Sequence, residues 1–332
     1  MNGFTDSSLE LHILEHKLRV TNVKKHAISN YMHALVKISL LPHSSPKFFS
    51  FTETRDGYTV IAEDELYREL PVGECIDVAD PLWRVLTVSA GALGSLNLTG
   101  ISKIVKSVIS PLADNKISVL IISTYQSDYV LVKDLDLLSA INCLSNNFKV
   151  FMDKGSRLEP VSPTLQEKMN AMQHPSTAPP VKPRPITHPF VCPLNKFYIS
   201  SLDMKTLHQL TPIILDLMFY SNSRPQRGED FEQFFHLSIV DGDISLLLDE
   251  LALSRFPKGS LLTCNSEECW RMIRIGDHPL GFDECGVAAE IAEPLADAQM
   301  TAYYLSTYAL GHTLIPESEL QNALDILNPL KV

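Results

Sequence analysis

The chain repeats itself, and this limits the folds open to it more than any other feature. Trp83-Arg84-Val85 recurs as Trp270-Arg271-Met272, Pro111-Leu112-Ala113-Asp114 as Pro294-Leu295-Ala296-Asp297, and Ser123-Thr124-Tyr125 as Ser306-Thr307-Tyr308. The last two offsets are 183 residues and the first is 187, so the earlier copy carries four extra residues in its Gly91, Gly94, Gly100 stretch. A duplication tolerates such length changes in a loop. A second pair of segments repeats at nearly the same distance: Phe48-Phe49 opens a hairpin turning at Asp56-Gly57, and Phe234-Phe235 opens one turning at Asp241-Gly242. A doubled pair gives modules at residues 9–80, 82–152, 195–265 and 268–332. At roughly 70 residues each is small for an independent core, so pairing between modules is expected.

Periodicity supplies the contents of each module. Leu9 to Val20 alternates and then continues apolar, the pattern of a long strand with one irregularity. Ile28, Tyr31, Met32, Leu35 and Ile38, stopped by Pro42, predict a helix over 28–41, followed by the 48–61 hairpin and a short helix near 63–70. Strand, helix, two strands, helix, strand is the ferredoxin-like order. Module two repeats it as strand 82–89, helix 101–115, strands 117–124 and 129–133, helix 135–147 and strand 148–152. Module three reads as strand 196–202, helix 204–220, hairpin 231–248 and helix 249–256. In module four, Gly281 and Gly286 bracket a loop. Val287, Ala288, Ile291, Ala292, Leu295 and Ala298 then share one helical face. The expected fold class is α+β: four tandem ferredoxin-like (βαββαβ) modules in two duplicated halves.

Residues 153–194 hold nine of the 21 prolines with little apolar periodicity, so they are expected to be a flexible linker, ordered only where Thr187-His188-Pro189 nears module three. The formal net charge of −11 argues against nucleic acid and anionic membranes, which need a basic surface. No apolar run approaches the ~20 residues of a membrane helix, and the first residues lack a signal pattern. Six cysteines scattered without paired spacing suit the reducing cytosol.

Candidate chemistry is sparse. His12, Glu15 and His16 match an H-x-x-E-H metal motif, but it works only on a helix; on a strand Glu15 points away from both histidines. No metal or other cofactor is expected. The Gly91–Gly100 stretch lacks the lysine and hydroxyl of a phosphate loop, and Cys285 has no histidine near it in sequence. No catalytic triad emerges, and the chain reads as a non-enzyme. The Gly281–Gly286 loop opens a helix and crowds backbone amides at its positive end, a corner suited to an anion such as an amino-acid carboxylate; alternatively the glycines only turn the chain.

Gly286-Val287-Ala288, Leu295-Ala296 and Ser306-Thr307 resemble the ACT domain, an amino-acid-sensing module of metabolic regulators. More closely, LELHILEH at the start, STYQSDYVLV at 123–132 and WRMIRIGDHPLGFDECG at 270–286 resemble the cytosolic arginine sensor (CASTOR) family of the target-of-rapamycin pathway. The resemblance covers all four modules and fails mainly in 153–194. It implies a homodimer that binds L-arginine between modules two and four, and that binds and inhibits the second GATOR complex when arginine is absent.

Carried over by position, the resemblance places ligand contacts at Ser118, Val119, Gly281, Glu284, Val287 and Thr307, with Asp283 as a further carboxylate candidate. Tyr125, Gln126 and Asp128 fall on the partner-binding turn, and His188 and Tyr220 at or near a dimer interface formed through modules one and three. Two departures bear on arginine. Gly311 stands where the family has a ligand-contacting aspartate, and Asn115-Lys116-Ile117 replaces histidine-histidine-valine. Asp283 or His312 are the candidates to make good the lost carboxylate.

Overall fold

The computed structural model describes residues 9–41, 46–89, 104–155, 157–161, 185–220, 228, 230–262, 268–276, 278–282 and 284–331. Module one contains β1 (Glu10–Lys24), α1 (Ile28–Ser39), β2 (Phe48–Glu53), β3 (Gly57–Glu63), α2 (Asp64–Tyr67) and β4 (Ile76–Val78). Its sheet runs β2-β3-β1-β4, the ferredoxin-like order. The expected irregularity in the first strand is real: pairing with the next module slips between Ile13 and Lys17, and the two ends of β1 serve different modules. Glu15 bonds Lys47 at 2.7 Å, whereas His16 faces Glu63 at 3.2 Å and His12 faces Glu10 at 3.3 Å. Glu15 thus leaves the two histidines, as strand alternation requires, and each histidine meets a different carboxylate.

Module two has β5 (Trp83–Ser89), a π-helical turn Val105–Ile109 running into α3 (Ser110–Asp114), β6 (Val119–Ser123), β7 (Asp128–Lys133), α4 (Leu137–Leu144) and β8 (Lys149–Asp153). The widened turn precedes Pro111, which lacks an N–H for the carbonyl four residues back and crowds it. Here the front of β1 inserts as an extra strand, antiparallel to β5 and parallel to β8. β9 (Leu158–Pro160) then adds to β8.

Module three contains β11 (Lys196–Leu202), α5 (Leu207–Phe219), β12 (Phe235–Val240), β13 (Asp243–Asp249) and α6 (Glu250–Leu253). Asp241 and Gly242 both have positive φ, 48° and 89°, which is how the two-residue turn between β12 and β13 closes. Module four contains β14 (Trp270–Ile275), α7 (Val287–Asp297), β15 (Tyr303–Ser306), β16 (Gly311–Pro316) and α8 (Leu320–Leu327).

The expected linker is not structureless at its ends, since 158–160 forms β9 and Phe190–Val191 forms β10 on β14. Ile186 also bridges Lys331 in parallel. The 186–191 strap does for module four what the front of β1 does for module two, lying antiparallel to the first strand and parallel to the chain after the last helix. Thr187-His188-Pro189 therefore docks on module four, not on module three as its position in sequence suggests.

Among the described residues the modules join into one sheet that closes on itself, in the order β1-β3-β2-β12-β13-β11-β14-β16-β15-β6-β7-β5 and back to β1. β2 pairs β12 along its whole length, and β15 meets β6 through Leu305 and Ile122. Alternation sorts the side chains. Phe235, Leu237 and Ile239 of β12 pack outward in a core that α1 and α5 share, while Val240 joins Trp83, Ile122, Met272, Leu305 and Leu314 in a core inside the ring. A third core lies under α4, α7 and α8. Each large aliphatic side chain so buried contributes about 1.5–3 kcal/mol relative to exposure.

Candidate functional site

The meeting of β6 and β15 builds the site. The two strands share little backbone pairing, and the repeated serines fill in: Ser306 Oγ accepts the Ile121 N–H at 3.0 Å and Ser123 Oγ accepts the Tyr304 N–H at 3.1 Å. The threonines that follow close the two hairpin turns. Thr307 Oγ1 accepts from the Leu310 N–H at 3.0 Å and donates to the Leu310 carbonyl at 2.9 Å; Thr124 does the same with Ser127. The Ser-Thr motif recurs because each copy performs the same two tasks.

A cavity of about 70 Å³ opens at one end of this junction. Ser118, Val119 and Leu120 contribute from module two; Gly281, Phe282, Glu284, Val287, Ala288, Thr307, Tyr308 and Gly311 contribute from module four. Six of the seven sequence-predicted ligand residues thus share one cavity, though up to 189 positions separate them in the chain. Asp283 lies outside the described residues. Gly286 takes φ 87° to lead the loop into α7, a conformation that favours glycine, so the helix presents its positive end beside Val287 and Ala288.

Sequence reasoning missed the aromatic wall. Phe282 sits edge-on between Trp83, with ring centroids 5.6 Å apart, and Tyr308, 4.9 Å away. All three belong to segments already singled out by the repeat or the glycine loop, so their recurrence was the available signal. Ser118, buried at the mouth of β6, has its Oγ 3.2 Å from Cys285 Sγ, which reaches the Lys116 carbonyl at 3.0 Å.

Glu284 is half-exposed and bonded to His188 Nε2 at 3.0 Å, while His188 Nδ1 meets Glu290 at 3.1 Å. Glu290 is buried and also accepts from the Thr187 N–H and hydroxyl. Burial alone would lower the His188 pKa, but Glu290 and then Glu284 outweigh it and raise it above the ordinary imidazole value. His188, expected at a dimer interface, thus also ties the strap to the pocket carboxylate within the chain.

His312 does not serve the pocket. Gly311 lines the cavity, so its neighbour on β16 must face the other way. The His312 ring lies inside the closed sheet, 4.8 Å from the Phe234 ring, where burial pushes its pKa down to about 3. Tyr125 and Gln126 are exposed at the β6–β7 turn, with Asp128 half-buried beside them and its carboxyl pushed up to about 6 by enclosure. Tyr220, at the end of α5, is 50% exposed. Among the described residues no cluster of three or more His, Cys, Asp or Glu is placed to hold a metal, and no helix is long and apolar enough to cross a membrane.

Residues 17–76 match the N-terminal domain of the cytosolic arginine sensor for mTORC1 subunit 1, and residues 188–265 match the ACT-like domain of subunits 1 and 2 of that sensor. Residues 78–146 and 265–329 match the ACT domain. Over 326 residues the chain is 40% identical to the "Cytosolic arginine sensor for mTORC1 subunit 1" of Homo sapiens, covering 96% of this chain and 97% of that one. The chain belongs to the cytosolic arginine sensor family. The Mus musculus sensor is 41% identical over 330 residues, with 96% of each chain covered. The sensor family's ACT-like match begins at His188, within the strap that the structure gives to module four.

Proposed function

We propose that this chain is a cytosolic amino-acid sensor built of four ACT-type modules, with L-arginine as its ligand. The observation that carries the reading is that Ser118 and Val119 of module two face Gly281, Glu284, Val287 and Thr307 of module four across one cavity. A guanidinium calls for a carboxylate, which Glu284 supplies. The α-carboxylate calls for N–H donors, which the start of α7 supplies, and Thr307 and Ser118 bring hydroxyls. Burying a charged ligand requires such matching. In this reading the sensor is a homodimer through modules one and three, with Tyr220 and His188 at or near the interface. Without ligand it binds and inhibits the second GATOR complex through Tyr125, Gln126 and Asp128, restraining target-of-rapamycin signalling.

A second reading is favoured by Gly311, which leaves the cavity without the family's aspartate, and by His188, which already occupies Glu284. In it the chain is a constitutive interaction protein of the same pathway with a weak or altered pocket. A thermal-shift screen of the twenty amino acids separates the two. Stabilisation by arginine, or by one other amino acid, supports sensing; stabilisation by none supports the constitutive reading.

A further inference from the structure

We propose that Thr59 and Ser245 are positioning residues, each holding from the opposite half of the molecule one of the duplicated hairpin turns, and that Thr59 thereby sets the aromatic wall of the pocket. The Tyr308 N–H donates to Thr59 Oγ1 of β3 at 2.9 Å, and the Tyr125 N–H donates to Ser245 Oγ of β13 at 2.9 Å. Tyr125 and Tyr308 are equivalent in the repeat, and the two acceptors occupy matching places after the turns of the β2–β3 and β12–β13 hairpins. The hydroxyls of Thr124 and Thr307 close their own turns on Ser127 and Leu310 and leave the following tyrosine N–H to the other module. A partly buried N–H is stabilised by an acceptor, and here a hydroxyl 120 residues away in one case and 249 in the other provides it. Thr59 and Ser245 are both buried, so neither is an incidental surface contact.

The two locks differ in what lies beyond them. The Tyr308 ring packs on Phe282, and Phe282 on Trp83, so the position of the 307–310 turn is passed to the glycine-bounded loop that carries Glu284. The Tyr125 ring instead stands 47% exposed at the turn assigned to the partner. Thr59 thus serves the ligand side and Ser245 the partner side. The pocket part of this inference rests on the amino-acid reading above; the turn-holding part does not.

The test is residue-resolved amide hydrogen exchange on the full chain, with arginine titration on the same samples. Thr59→Val, close in shape but without an acceptor, is expected to speed exchange at Tyr308 by about fivefold or more and leave Tyr125 unchanged; Ser245→Ala should do the reverse. Thr59→Ser keeps the hydroxyl and should keep protection. Arginine affinity is expected to fall by about three- to tenfold in Thr59→Val, to recover in Thr59→Ser and to stay unchanged in Ser245→Ala. Unchanged exchange at both tyrosines, or a rise at both in either variant, would overturn the proposal. A wild-type chain that gives no arginine signal defeats the pocket reading instead, and the exchange result still decides whether the hydroxyls hold the turns.

Discussion

Restoring a carboxylate at position 311 gives a gain-of-function test of the pocket. Gly311 lines the cavity, its φ is outside the left-handed region, and an added Cβ would meet Ile275 Cδ1 at 3.6 Å and Ile275 Cβ at 3.9 Å, ordinary contact distances. Gly311→Asp therefore requires no backbone rearrangement. A charge-assisted hydrogen bond to a guanidinium contributes about 1.5–3 kcal/mol. At about 1.4 kcal/mol per decade, arginine should bind roughly ten- to a hundredfold more tightly. Calorimetry with arginine and with citrulline, which replaces the cation by a neutral urea, measures this directly. The reasoning is refuted if arginine affinity does not rise, or if citrulline gains as much.

Three further outcomes follow from the same geometry. Changing Tyr125, Gln126 and Asp128 together to alanine should abolish pull-down of the second GATOR complex while amino-acid binding and dimer size persist; undiminished pull-down places the partner elsewhere. Tyr220→Ala should shift the chain from dimer towards monomer in sedimentation, and an unchanged dimer refutes the interface through modules one and three. The raised pKa of His188 means that its contacts with Glu290 and Glu284 stabilise the fold fully below about pH 6.5, the unperturbed histidine value, and fade as pH rises through the higher folded value. Between pH 6 and 9 the wild-type Tm should fall more than that of His188→Gln, and parallel curves would contradict the clamp.

Periodicity made local structure legible. The strand expected at 196–202 is β11, residue for residue, and the helices expected at 28–41 and 204–220 are α1 and α5 with frayed ends trimmed. The repeat pointed to paired modules because motifs at the same offset mark equivalent strands. Closure of the sheet was not legible, because it depends on β1 changing partners midway and on β2 meeting β12, neither of which leaves a local pattern. The strap at 186–191 was hidden by Pro189 and the prolines that flank it, and by the brevity of β10, only two residues long. In the site, the ligand residues came from a family resemblance, since nothing local ties Ser118 to Glu284. His312 was misjudged because strand alternation turns it away from Gly311. The aromatic wall and the His188 clamp depend on contacts between distant segments, which a single sequence does not display.

The central claim is a shared pocket between modules two and four, and calorimetric titration of L-arginine into the full chain tests it most directly, run beside Ser118→Ala, Glu284→Ala and His12→Ala. The account predicts saturable binding at one site per chain, lost in both pocket variants and kept in His12→Ala. Binding that survives in both Ser118→Ala and Glu284→Ala would contradict it.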